Sequence, residues 1–254
     1  MADVTPSTTP RMGTLHGISL GPGDPGLITR AAWAALECRD AIWVYPVRSG
    51  KTPSYALDIV MRAGLPLPET HTPLLFPMTH DGEKLARAWL KAAQTVLPWL
   101  QAGREVLFLV EGDASTYATF GHLARTLRGL DERVPVRTIA GVNSFTAACA
   151  DVGEPFAEQD DTVAIVPAAY GVGAVDRLLP DFDTLVLMKI KPLIEDLLAQ
   201  STVSSELAQR LATMARFNLK PDYYKQLVKQ IAAVSPAQVR MLLTNELDPK
   251  GELI

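Results

Sequence analysis

The sequence predicts an α/β fold with a mostly parallel sheet, and three observations support that fold class. Apolar segments of strand length alternate with amphipathic segments of helix length from Leu15 onward. Residues 105–110 form an almost continuous apolar run, which is typical of a strand buried on both faces of a parallel sheet. Two short glycine-containing loops directly follow strand-like runs, at the edge where open α/β sheets bind ligands.

Apolar periodicity, capping residues and stop signals assign the elements in order. We expect strands at Leu15–Leu20, Ala41–Tyr45, Glu105–Val110 and Val134–Ile139. We expect helices at Thr29–Cys38, Glu83–Leu100, Thr119–Arg128 and Phe145–Ala150. Thr29 is the predicted N-cap of the first helix, and Pro46 is predicted to end the second strand.

The sequence predicts that the chain is divided into four segments. Residues 1–12 are polar and rich in Pro and Thr, and we expect a disordered tail there. An N-terminal α/β lobe is predicted over 13–140, and the start of a second α/β lobe over 141–200, with strands at Asp161–Pro167 and Thr184–Ile190. Residues 201–254 form an atypical helical tail in this interpretation.

Composition excludes several classes of function. The chain has 254 residues, of which 48% are hydrophobic, enough to bury a large core. A net charge of −4 argues against a general nucleic-acid-binding protein. No apolar run reaches membrane-spanning length and no signal peptide is evident. The two cysteines, Cys38 and Cys149, and the four histidines match no metal or disulfide spacing. We therefore expect a cytoplasmic protein without a metal, nucleic-acid or membrane partner.

The two loops favour a ligand with positive charge and hydrogen-bonding edges. The glycine loop, Gly21–Gly26, contains the spacing G-x-G-x-x-G that is typical of dinucleotide sites. However, Pro22 and Pro25 remove N–H donors that a pyrophosphate needs, and Asp24 would repel it. The EGD loop, Glu111–Asp113, likewise offers acid and backbone without a cationic side chain.

Three further side chains have two interpretations each. Arg48 and Lys51 follow the second predicted strand and could hold substrate carboxylates, or they could belong to an ordinary solvated loop. Tyr117 could line the same cleft as the EGD loop, or it could be a packed aromatic residue at a helix start.

Five segments carry a family resemblance: residues 20–29 (LGPGDPGLIT), 44–46 (VYP), 111–113 (EGD), 141–145 (GVNSF) and 186–189 (VLMK). In this order they resemble motifs of the tetrapyrrole methylases, which are S-adenosylmethionine-dependent enzymes of corrin and sirohaem synthesis. Residues 119–123 (TFGHL) and 164–168 (AIVPA) look most like the precorrin-2 C(20)-methyltransferases within that family. The resemblance covers about residues 13–200.

The resemblance implies a two-lobed fold, a homodimer and S-adenosylmethionine as methyl donor. It assigns these residues to the donor: Pro22, Gly112, Asp113, Ala114, Asn143, Ser144 and Met188. Ala114 stands where the family commonly has proline, and Asn143 where it commonly has threonine.

The implied activity is methyl transfer to C(20) of precorrin-2 or cobalt-precorrin-2 in cobalamin and corrin biosynthesis. An electron-rich meso carbon would attack the donor methyl, so that placement and exclusion of water supply much of the rate. No general base is assigned, and Glu111 and Tyr117 are the candidates. Arg48 and Lys51 would steer the polycarboxylate substrate. The alternatives are another methyltransferase of the family, or an inactive remnant that acts as a binding module.

The tail, residues 201–254, departs from the family. It resembles the closing segment of a pitrilysin/insulinase-type zinc peptidase domain at 222–224 (DYY), 231–235 (IAAVS), 238–239 (QV) and 247–249 (LDP). The peptidase zinc motif is absent, so no peptidase function is implied. The tail is either a set of ordinary amphipathic helices or the product of gene fusion or truncation.

Overall fold

The computed structural model describes residues 11–79, 81–167 and 172–189. It forms two compact units, Met1–Phe156 and Ala157–Ile254. The predictions for residues 1–10, for Ile190 and for the tail, with its peptidase resemblance, lie outside the described residues. The predicted lobe boundary after residue 140 stays a prediction.

The first unit contains a five-stranded parallel sheet with the order β3-β2-β4-β1-β5. Its strands are β1 Leu15–Ser19, β2 Ile42–Val47, β3 His71–Leu75, β4 Val106–Val110 and β5 Val136–Ile139. Its helices are α1 Arg30–Leu36, α2 Tyr55–Arg62, α3 Gly82–Gln101, α4 Phe120–Leu130 and α5 Ser144–Val152. A single 3-10 turn, Pro25–Leu27, lies in the glycine loop.

The side chains of the sheet alternate between two apolar layers, because successive residues of a strand point to opposite faces. On β4, Val106, Phe108 and Val110 pack in one core with α3 and α4. Leu107 and Leu109 pack in the other core with α1 and α2. Every residue of β4 is buried, which confirms the doubly covered central strand expected from its continuous apolar run.

The predicted strands and helices are confirmed to within a few residues of their ends, with one correction in β2. Pro46 does not end this strand, which continues to Val47. The reason is pairing: β4 pairs with β2 only from Ile42 to Val44, whereas β3 pairs with it as far as Val47. A proline is tolerated where one side of a strand has no ladder to complete.

The second unit has a parallel pair of strands, β6 Val163–Pro167 and β7 Thr184–Met188, joined through α6 Val172–Leu178. Both strands match the sequence expectation. The sequence did not predict α6, nor α2 and β3 in the first unit.

His122, in the first turn of α4, stacks on Trp89 of α3 with ring centroids 4.1 Å apart and planes 9° from parallel. The Arg125 guanidinium lies 3.1 Å from His122 Nδ1. Since arginine can only donate, Nδ1 accepts this hydrogen bond and the imidazole is neutral. Burial, and then the charge of Arg125, lower the pKa of His122 below its ordinary value.

This arrangement predicts an acid-sensitive contact between α3 and α4. The unfolded chain takes up a proton at His122 near its ordinary pKa, while the folded chain resists protonation, so stability is present above about pH 6.5 and falls as the pH drops below it. Urea unfolding followed by circular dichroism should therefore show a smaller loss of unfolding free energy between about pH 7.5 and about pH 5 for His122→Gln than for the wild type. Equal losses in the two proteins would refute the prediction.

Candidate functional site

The glycine loop and the EGD loop leave neighbouring strands in opposite directions. From β1 the chain crosses β4 to reach β2, whereas from β4 it crosses β1 in the opposite direction to reach β5. Ligands of open α/β sheets bind where adjacent crossovers diverge in this way, outside the carboxyl ends of the strands. The crevice between the ends of β1 and β4 is therefore the candidate site.

Gly21 and Gly112 join the two loops by backbone hydrogen bonds. Gly112 N–H donates to Gly21 O at 2.7 Å, and Gly21 N–H donates to Gly112 O at 3.2 Å. Both residues have positive φ, +75° and +76°, which favours glycine. A Cβ on Gly21 would also lie 3.0 Å from Leu27 O. The two glycines thus bring the loops to backbone contact at the crevice.

The Asp113 carboxylate holds this end of the sheet together. Its Oδ2 accepts the Gly141 N–H at 2.8 Å, which ties the EGD loop to the segment after β5. Its Oδ1 accepts from the Ser115 N–H at 2.8 Å, from the Ser115 hydroxyl, and from the Thr116 hydroxyl at 3.3 Å. Burial by itself would raise the pKa of Asp113, but the hydrogen bonds from Ser115, Gly141 and Thr116 outweigh it and lower the pKa. The carboxylate stays charged near neutral pH, and its oxygens are engaged by the protein itself.

Ser19, the last residue of β1, was missed by the sequence analysis. It is fully buried, and its Oγ accepts the Ala114 N–H at 2.8 Å. Gly141 packs against it so closely that a Cβ would lie 2.4 Å from Ser19 Cβ and 2.9 Å from Gly112 O. A serine at the end of an otherwise apolar strand is the signal that could have found it.

The glycine loop has its own supports. Asp24 Oδ1 accepts the Gly26 N–H at 2.7 Å and caps the 3-10 turn. Arg62, at the end of α2, donates from Nη2 to Gly23 O at 2.7 Å. Arg62 was also missed, because the sequence analysis did not predict α2.

Asn143 and Ser144 lie at the N-terminus of α5. Asn143 occupies the N-cap position with extended backbone, and its side chain makes no capping hydrogen bond to the helix. It is half-buried, and Ser144 is exposed. A helix N-terminus of this kind suits a carboxylate, because its backbone N–H groups point outward and the helix dipole is positive there.

Glu111 and Tyr117 flank the EGD loop. Glu111 is exposed at the surface, yet desolvation raises the pKa of its carboxyl, and the nearby positive charge of Arg48 opposes that rise in part. Tyr117 is 47% exposed and has a φ of +49°, a backbone conformation that costs energy for a tyrosine. Arg48 also lies over the Tyr55 ring, 5.5 Å from its centroid.

The first unit brings together most of the predicted site residues. The carboxyl ends of β1, β4 and β5 carry Pro22, Gly112, Asp113, Ala114, Asn143 and Ser144. Lys51 is exposed in the loop that follows Arg48. Met188 is the last residue of β7 in the second unit.

Two searches of the described residues had a negative result. Within 11–79, 81–167 and 172–189, no three His, Cys, Asp or Glu side chains are grouped so as to hold a metal ion. Over the same ranges, every helix is too short or too polar to cross a membrane.

Comparison with known proteins matches this chain to one family and to individual members of it. A sequence model of the tetrapyrrole (corrin/porphyrin) methylases matches residues 14–216, and so extends beyond the segment in which the motifs were found. The chain is 32% identical to the cobalt-precorrin-2 C(20)-methyltransferase of Salmonella typhimurium, over 70% of this chain and 73% of that protein. It is 30% identical to the precorrin-2 C(20)-methyltransferase of a Sinorhizobium species, over 70% and 74%.

Among solved structures, the fold matches that of CobF, a cobalamin synthesis-related protein of Corynebacterium diphtheriae, with a TM-score of 0.53. The match covers 71% of this chain and 73% of that chain at 21% identity. This likeness confirms the α/β fold.

The close approach at Gly141 predicts a strong effect of a single methyl group. We expect Gly141→Ala to lower the free energy of unfolding by about 1–3 kcal/mol, since the added Cβ overlaps Ser19 and the Gly112 carbonyl. The control is Gly129→Ala in α4, where a Cβ meets nothing within 4 Å and where alanine should stabilise the helix by about 0.5–1 kcal/mol. Denaturant titration measures both. A Gly141→Ala protein as stable as the wild type would contradict the packing described here.

Proposed function

The chain belongs to the tetrapyrrole (corrin/porphyrin) methylase family, and we propose on that premise that it transfers the methyl group of S-adenosylmethionine to C(20) of precorrin-2 or cobalt-precorrin-2. The observation that carries the proposal is the crevice between β1 and β4, where the family's glycine-rich motifs meet through Gly21 and Gly112. The names of the relatives that are 30% and 32% identical support this substrate and this position of methylation.

The residues at the crevice fit a donor that carries a sulfonium, an ammonium, a carboxylate and an adenine, but no phosphate. We assign donor contacts to Pro22 and Gly112 in the joined loops, and to Asn143 and Ser144 at the N-terminus of α5, which suits the carboxylate. Because the side chains of Asp113 and Ala114 are buried, we assign their donor contacts to backbone groups other than the Ala114 N–H, which donates to Ser19 Oγ. Met188, which the family resemblance also assigns to the donor, is the last residue of β7 in the second unit, and its role stays a prediction.

The donor supplies an electrophilic methyl group on a positively charged sulfur. With the donor bound, the nucleophilic carbon of the substrate would form the new C–C bond as the S–C bond breaks, and the sulfur would leave as a neutral thioether. The proton that this carbon then loses needs an acceptor. We assign that role to Glu111, since desolvation raises the pKa of its carboxyl and makes its carboxylate a stronger base. Tyr117 is the second candidate.

The substrate carries several carboxylates, and Arg48 and Lys51 offer positive charge in the loop after β2. Desolvation raises the pKa of the Glu111 carboxyl and the positive charge of Arg48 lowers it in part, which supports a role for Arg48 near the EGD loop. We assign both cations to steering the substrate toward the carboxyl edge of the sheet.

The protein is further proposed to be a cytoplasmic homodimer. The family resemblance supports the dimer. Two free thiols support a reducing compartment, since Cys38 is exposed and Cys149 is half-buried, and the two form no disulfide.

The first prediction of this proposal concerns the product. Purified full-length chain should bind S-adenosylmethionine with micromolar affinity in titration calorimetry. With isotopically labelled donor and precorrin-2, NMR of the product should place one labelled methyl group at C(20). Absence of donor binding by a folded chain would refute the methyltransferase activity, and a label at another carbon would indicate a different substrate position within the family.

The second prediction concerns Glu111. Glu111→Gln should lower kcat by about 10²-fold or more and remove the decline of kcat at acid pH, since the wild-type base loses activity as the pH falls through its raised pKa. The KM for the donor should change little. Glu69→Gln, which neutralises an exposed glutamate before β3, is the control and should behave as wild type. If kcat of Glu111→Gln still declined at acid pH as in the wild type, Glu111 would not be the base and another group would accept the proton.

A further inference from the structure

The Arg62 guanidinium makes two hydrogen bonds, one to the glycine loop and one within α2. Its Nη2 donates to Gly23 O at 2.7 Å, and its Nε donates to Asp58 Oδ2 at 2.9 Å. Asp58 lies one helical turn earlier on α2, so the carboxylate and the loop carbonyl hold the planar guanidinium between them.

Gly23 lies in a stretch of the glycine loop with open space beside it. Gly21 is fixed to Gly112, and Asp24 caps the turn that begins at Pro25. Between these anchors, Gly23 has a φ of +141°, and a Cβ placed on it would meet nothing within 4 Å. Because side-chain packing does not hold Gly23, its position depends on hydrogen bonds. The hydrogen bond from Arg62 to the Gly23 carbonyl comes from outside the loop.

We propose that Arg62 is a positioning residue for the methyl donor. Arg62 orients the backbone of Pro22 and Gly23, and Pro22 is one of the residues assigned to donor contact. This role rests on the function proposed above. Arg62 touches neither donor nor substrate in this scheme. Asp58 in turn holds the Arg62 guanidinium in the orientation in which its Nη2 donates to the Gly23 carbonyl.

The chain offers a closely matched control for this pair. Arg87 and Glu83 on α3 form an ion pair of the same i,i+4 spacing, with Nη2 and Oε2 2.7 Å apart. Both side chains are more exposed than Arg62 and Asp58, and no hydrogen bond from Arg87 to a loop of the candidate site is present in the described part of the chain. Loss of Arg87 therefore removes a helix ion pair without touching the glycine loop.

The experiment compares full-length wild type with Arg62→Ala, Arg62→Lys and Arg87→Ala. We expect Arg62→Ala to raise the dissociation constant for S-adenosylmethionine, measured by calorimetry, about five- to tenfold. Amide hydrogen exchange without donor should become faster at residues 21–28, and the KM for the donor should rise while kcat at saturating donor is kept. Arg62→Lys should recover only part of the affinity, since one ammonium cannot match the fork of the guanidinium. Arg87→Ala should behave as wild type in all three measurements.

Each other result has a definite meaning. Donor affinity and loop exchange that are the same in Arg62→Ala as in Arg87→Ala would overturn the inference and leave the proposed function intact. A loss of affinity accompanied by a lower melting temperature and faster exchange throughout the first unit would also overturn it, since that pattern is general destabilisation. A folded wild type that binds no donor overturns the proposed function and, with it, the role of Arg62 in donor binding.

Discussion

The end of the sheet that carries the candidate site depends on one buried carboxylate, that of Asp113. It accepts hydrogen bonds from the segment after β5 through Gly141 and from its own loop through Ser115 and Thr116. A buried charge is costly unless such partners satisfy it, and here they do so well enough to lower the pKa of Asp113. The same bonds hold Gly141 beside Ser19, so that the EGD loop and the segment after β5 take their positions from one side chain.

This arrangement changes how the acidity of the two loops is understood. From sequence, Asp24 and Asp113 suggested a site that attracts a positively charged ligand. In the structure Asp24 caps a 3-10 turn and Asp113 bonds its neighbours, so both carboxylates serve the loops themselves. In the function proposed above, recognition therefore rests on the two loops and on the N-terminus of α5 rather than on the Asp113 carboxylate, and Glu111 adds an exposed acidic side chain.

The sequence predicted the helices and strands that have a clear local signal, such as an apolar run or a capping residue. β4 is a continuous apolar run, and Thr29 caps α1 by accepting the Ala32 N–H, so both were found. β3 was missed because it is an edge strand with proline at position 73 and one buried residue, a pattern without alternation. The site contacts of Ser19 and Arg62 join residues 95 and 39 positions apart, and no local pattern encodes such pairs.

Ala114 shows how a departure from the family pattern is accommodated. The family resemblance implies proline after Gly-Asp, whereas this chain has Ala114, whose backbone N–H would be buried without a partner if nothing accepted its hydrogen. Ser19 meets that need, since its Oγ accepts the Ala114 N–H at 2.8 Å while both residues are buried. A proline at this position has no hydrogen to donate, so the buried hydroxyl of Ser19 and the alanine form a matched pair. The Ala114 N–H therefore bonds β1 to the EGD loop, at the same junction that Gly21 and Gly112 form.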